Sequence, residues 1–181
     1  MKKKILFIVI AVIIILAIIA GIVLFVNKKP VENNLNIASA EDMGNLVDQI
    51  YSGLEETIPS SLNTVKLELS NIDLVKTYTG LDSTEGIQDI VVSEPMISSQ
   101  AFSLILVKCE NAIKADEIAA KMNESVNPNK WICVSAEKVY STSSGDVAML
   151  VMASEDWAKP VYDKFKELAG SVGNEYERNG F

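Results

Sequence analysis

"AFSLILVKC" (residues 101–109) is apolar at seven of its nine positions, with Ser103 and Lys108 the exceptions. A run this short and this apolar reads as a central strand with both sides covered, or nearly so. Upstream, "SEPMISSQ" (93–100) reads as a hairpin connection into it. Glu94 and Pro95 stop the incoming strand "IQDIVV" (87–92), because proline cannot donate to a ladder. Ser98 and Ser99 are expected to bond loop backbone, with Phe102, Leu104 and Leu106 filling one side of the core. Further upstream, "TVKLELS" (64–70) alternates Val65, Leu67 and Leu69 with polar residues, the pattern of a half-buried strand. "IDLVKTYTG" is consistent with a short helix stopped by Gly80.

Downstream, Ile113, Ile118, Ala119, Met122 and Val126 fall mostly on one helical stripe, ended by Asn127-Pro128. "WICVSAEKVY" (131–140) reads as a second long strand. "STSSG" turns it back into "DVAMLVMA" (146–153), an antiparallel hairpin. Two further helices bracket the sheet. Met43, Leu46, Val47, Ile50 and Leu54 repeat at helical spacing, punctuated by Gly53 and Pro59. Val161, Tyr162, Phe165, Leu168 and Ala169 do the same, with Pro160 in the first turn and Gly170 at the end. The expected class is α+β: one mixed or antiparallel sheet with helices mainly on one face. The domain is expected over 39–170, with 171–181 as a flexible tail.

Ile5 to Val26 is 22 residues without a polar side chain. As a helix it would be about 33 Å long, against a hydrocarbon core of about 30 Å. Lysines flank it on both sides and can snorkel. The run is longer than a signal-peptide core. Ala38-Ser39-Ala40 has the form of a cleavage site but lies well past the apolar end, and Ser39 with Asp42 reads better as a helix-capping box. The segment is therefore expected to be an uncleaved single-pass transmembrane anchor over 5–26. Residues 1–4 would be cytoplasmic, 27–38 a linker, and the C-terminal domain outside the cell membrane.

Residues 1–29 hold five of the sixteen basic residues and no acid, so the rest carries eleven bases against twenty-four acids, a net charge of −13. Such a domain repels nucleic acid, and no nucleic-acid partner is expected. The chain contains no histidine, which removes Ser-His-Asp and Cys-His arrangements and the histidine zinc sites. What remains for a hydrolase is a Ser–Lys pair, Ser98 or Ser99 with Lys108 or Lys130. The plainer reading gives these serines to loop and turn. No catalytic residue, metal ligand or cofactor is assigned. Glu55, Glu56, Asp82 and Glu85 read as a solvated surface. Met96, Met122, Met149 and Met152 read as packed faces. Trp131 is read as a core anchor, with a ligand platform as the alternative. Arg178, the one arginine, cannot by itself build an anion clamp. Cys109 and Cys133 are either ordinary thiols or one bridge.

"VVSEPMISSQAFSLILVK", then "NPNKWICVSAEKV" and "GDVAMLVMAS", together resemble the DUF4358 family, a domain of unknown function in Clostridia-type Gram-positive bacteria. The likeness runs from about Met43 to about Leu168. It implies a membrane- or lipid-anchored envelope protein and supplies no catalytic residue. Ser93, Glu94, Pro95, Lys130 and Trp131 are its fingerprint and the candidate interaction residues. The expected function is a non-catalytic binding or accessory module for an envelope protein or cell-wall polymer. An accessory role in modifying or exporting surface polysaccharide is the alternative, and a Ser–Lys hydrolase the third reading.

Overall fold

The computed structural model describes residues 34–180, which all belong to one unit, Val31–Phe181. The expected anchor, 5–26, lies outside the described residues. No helix among the described residues is long and apolar enough to cross a membrane.

Ten elements follow in order: α1 Ala40–Tyr51, β1 Leu62–Lys66, α2 Ile72–Thr79, β2 Ile87–Pro95, β3 Ser103–Cys109, α3 Ala112–Ser125, β4 Lys138–Ser144, β5 Val147–Ala153, α4 Glu155–Ala169 and β6 Tyr176–Asn179. The strands make one antiparallel sheet in the order β1-β2-β3-β5-β4-β6. The class is α+β, as the element pattern implies. Strand β3 is buried at every position, and β5 beside it likewise.

That burial needs cover on both faces, and both are covered. Ile90, Val92, Ile105, Val107, Leu150 and Met152 pack with Ala115, Ile118 and Met122 of α3 and Val75 of α2. Val91, Leu104, Leu106, Met149 and Val151 pack with Met43, Leu46 and Ile50 of α1 and Val161 and Phe165 of α4. The expectation of helices mainly on one face is therefore corrected to two on each. A helix's stripe shows that it packs and leaves open which side of the sheet it covers. Each fully buried Leu, Ile or Phe here is worth roughly 1.5–3 kcal/mol.

Local signals hold at several ends. Ser39 caps α1, accepting from the Asp42 amide at 3.2 Å and donating to the Asp42 carboxylate at 2.9 Å. Gly80 ends α2 at φ 75°, where a Cβ would sit 2.4 Å from the Ser125 carbonyl carbon. Gly145, at φ 53°, and Asp146 alone turn β4 into β5, so Ser141–Ser144 are strand and not turn.

Other expectations are corrected. Strand β1 spans 62–66 as a mostly exposed edge, and the inward residues Leu67 and Leu69 follow it. Ile113 is 76% exposed, since five positions before Ile118 it points roughly 140° off the stripe. Pro160 lies inside α4, five residues past its start. Residues 131–137 are not strand, because Cys133 at φ 63° breaks the extended path and Ala136 donates back to the Pro128 carbonyl at 2.9 Å. The supposed tail forms β6, paired with β4 from Lys138↔Asn179 to Ser141↔Tyr176. Residues 34–38 of the supposed linker are docked. Leu35 and Ile37 pack on the α1/α4 core, and the Asn34 amide donates to the Ala169 carbonyl at 3.3 Å.

Candidate interaction site at the Glu94–Lys130 end

The antiparallel register sets two ends to the sheet. Lys108, Asp146 and the entering strap 34–38 lie at one. The β2–β3 loop, the 127–137 loop, the close of α1 and the start of α4 lie at the other. Four of the five fingerprint residues carry the second end together with Ser93 in the sheet just behind it.

Glu94, next to last in β2, accepts from the Lys130 ammonium. Their side chains are 20% and 10% exposed, so the pair is largely shielded from solvent. The same ammonium lies 4.5 Å from the Tyr78 ring centroid and 5.1 Å from that of Trp131. Both rings offer the negative face of their quadrupole to a cation. Burial lowers the Lys130 pKa, and Glu94 pulls against that shift. Trp131 packs at the margin of the core, agreeing with the anchor reading, while its face is taken by Lys130. Ser93 is buried in the sheet and accepts from the Thr64 hydroxyl at 3.0 Å. Pro95 closes β2 opposite Leu62.

The two loops joined by this pair are apolar at their tips. Met96 is 78% exposed, Ile97 58% and Ile132 72%. Met96 thus departs from the packed-face reading, whereas Met122, Met149 and Met152 are buried. Buried side-chain polar atoms without a hydrogen-bond partner, among the described residues, are the Tyr51 hydroxyl, Gln100 Oε1 and Ser103 Oγ. All three lie at this same end. Sequence reasoning missed Tyr51, Tyr78, Ile97 and Ile132. The one local hint was an apolar Met-Ile pair set among Pro, Ser and Gln, where a loop is ordinarily polar.

Lys108 lies at the opposite end from Ser98 and Ser99, and Lys130, at their end, is bonded to Glu94. Ser98 and Ser99 are exposed in the β2–β3 loop. Lys108 lies five residues along β3 from Ser103, roughly 17 Å away, bonded to the Ile37 carbonyl at 2.5 Å and to Asp146 at 2.7 Å. Cys109 is buried and Cys133 exposed, and both are free, so the bridge is not formed. Glu55, Glu56, Asp82 and Glu85 are exposed. A depression of about 370 Å³ opens at the opposite end, lined by Asn36, Ile37, Lys108, Asn111 and Asp146. Its lysine is already neutralised by Asp146.

Comparison with known proteins finds no matching family model, no similar curated protein and no similar solved structure.

Proposed function

We propose that this chain is a non-catalytic binding module of the cell envelope that meets its partner at the Glu94–Lys130 end. In this reading residues 5–26 anchor it in the cell membrane with the N-terminus inside, and the acidic domain lies outside. In this reading it is also a relative of the DUF4358 family, on the motif likeness described above. The supporting observation is the pairing of a shielded ion pair with exposed aliphatic tips. Glu94 and Lys130 are 36 residues apart, and their bond ties together the two loops that carry Met96, Ile97 and Ile132. A pair taken out of water is costly to form, and aliphatic side chains gain nothing from solvent. Both features suit a surface made for contact.

The test is site-specific photo-cross-linking in intact cells. A photoreactive residue at Ile132 should give a discrete adduct, and the same residue at Ile113, exposed on α3, should not. Adducts at both positions or at neither would refute the reading. Orientation has a separate readout. A cysteine placed at Ile113, exposed on α3 and away from the proposed contact, in a Cys133→Ser background should be labelled by a membrane-impermeant maleimide added to whole cells, and protection until lysis would place the domain inside.

A further inference from the structure

We propose that the partner at this end is a polypeptide segment presenting aliphatic side chains flanked by lysine or arginine. The inference rests on the binding-module reading and adds the partner's chemistry to it.

The first argument is charge. Exposed Glu55 and Glu56 lie between α1 and β1, Glu137 just before β4, and Asp156 in the first turn of α4. The β4–β5 register puts Glu137 and Asp156 at the end that carries Met96, Ile97 and Ile132, and Glu55 and Glu56 follow the close of α1 at that same end. Nearby lysines are already engaged. Lys130 is held by Glu94, Lys138 is paired with Glu177 at 2.5 Å, and Lys159 is paired with Asp163. Apolar tips with exposed acids at the same end complement an apolar segment flanked by bases. Anionic lipid, anionic wall polymer and nucleic acid meet repulsion there. So does a second copy of this chain, which would bring the same rim.

The second argument is the kind of apolar surface. The exposed large hydrophobics among the described residues, Val65, Ile72, Met96, Ile97, Ile113 and Ile132, are all aliphatic. Stacking on a sugar ring wants an open aromatic face, and no aromatic side chain is among those exposed large hydrophobics. Tyr78 and Trp131 pack on one core with Lys130 over one face of each ring, and Trp157, in the first turn of α4, packs on the other core. A neutral glycan therefore lacks its usual platform. Met96 and the two isoleucines instead offer shape-adaptable contact for aliphatic side chains.

The test uses the full chain in zwitterionic-lipid nanodiscs, with empty discs as the blank. The probes are a fluorescent leucine-rich peptide with lysine flanks and the same peptide with glutamate flanks. The lysine-flanked probe should bind at least about tenfold tighter, and more weakly as salt rises. The triple variant Met96→Ser, Ile97→Ser, Ile132→Ser should lose about tenfold or more, and Ile113→Ser should lose nothing. Glu55→Lys with Glu56→Lys should narrow or invert the preference between probes, which keeps the proposal testable if the triple variant misfolds. Equal binding of the two probes, no binding, or binding indifferent to the triple variant would overturn it. So would binding of neutral glycan or anionic vesicles that needs Met96, Ile97 and Ile132, or self-association lost in the triple variant. If Ile132 cross-links a partner in cells while the lysine-flanked probe fails to bind, the binding-module reading survives and this chemistry does not.

Discussion

Glu94 and Lys130 form an ion pair that closes the 127–137 loop onto the end of β2. Glu94 stands beside Pro95, where β2 loses its ladder donor, and Lys130 follows the Asn127-Pro128 stop of α3. Two chain breaks are thus placed side by side and joined by charge. Tyr78, in the last turn of α2, covers the ammonium from a third element. The pair is a structural fastener as well as the floor of the exposed tip.

Removing one partner should cost more than removing both. Lys130→Met leaves Glu94 shielded and unpaired, and Glu94→Leu does the same to Lys130. Each single change is expected to lower stability by about 3 kcal/mol. The double variant, apolar on both sides, should recover most of that loss. Urea midpoints of the four proteins measure the cycle, and additive single losses would show that the two side chains are not coupled.

The C-terminal segment should behave as sheet. Arg178 donates from Nε to the Asn123 carbonyl and from Nη2 to the Val126 carbonyl at 2.6 Å, satisfying acceptors at the end of α3. Asp116 accepts from the Asn174 amide at 2.9 Å and the Tyr176 hydroxyl at 3.3 Å. Arg178→Ala is expected to destabilise by about 1–3 kcal/mol. Arg178→Lys should not rescue, because one ammonium cannot reproduce the planar fork. Deleting residues 175–181 should speed hydrogen exchange along β4, which then becomes an open edge. Unchanged exchange would return this segment to the status of a loose tail.

Periodicity made the helices legible, and the continuous apolar run at 101–109 made the central strand legible. Ser39-x-x-Asp42 and Gly80 marked helix ends because their chemistry is local. What escaped depends on partners distant in sequence. Trp131, Ile132 and Val134 have strand composition, yet Lys130 is drawn to Glu94 and Cys133 takes a left-handed φ, so the strand starts at Lys138. Residues 176–179 have no apolar alternation, since β6 is held by the β4 ladder and by Arg178 and Asp116. The fingerprint Glu94, Pro95, Lys130 and Trp131 was readable as a motif. Its exposed tips were not, because solvent exposure at a loop end follows from the fold.

Alkaline pH should unfold this domain early. All five tyrosines, Tyr51, Tyr78, Tyr140, Tyr162 and Tyr176, have their pKa raised, with burial the first cause in each. Carboxylate acceptors add to this for Tyr140 at Glu155 and for Tyr162 at Glu175. A group whose folded pKa exceeds its unfolded value contributes stability below the unfolded value and loses it as pH climbs through the folded one. The ordinary tyrosine value is 10.0, so the loss begins near there. Lys130 acts in the opposite sense, its lowered pKa favouring the folded state as pH rises. The melting temperature is expected to fall above that pH. Tyrosinate absorbance from Tyr51, Tyr140 and Tyr162, the most strongly raised, should appear late and together with unfolding. More than two tyrosines titrating at the ordinary value while the fold persists would contradict the surroundings assigned to those three rings.

The two thiols should differ sharply in reactivity, because the thiolate is the attacking species and exposure controls access to it. Cys109 closes β3 in the core, where burial foremost, aided by the charge of Asp146, pushes its pKa up to about 12. Cys133 is exposed at a left-handed position in the 127–137 loop. With an aromatic disulfide reagent, the native protein is expected to release one equivalent of leaving thiolate, from Cys133. The second equivalent should appear only in denaturant. Cys133→Ser should abolish the native reaction, and Cys109→Ser should leave it intact. Because burial keeps Cys109 protonated and out of reach in the folded state, mild alkali below the unfolding range should not recruit the second equivalent. Two native equivalents would mean that the end of β3 opens. None before reduction, and two after it in denaturant, would mean that the thiols are bridged, which would require the 127–137 loop to leave Glu94.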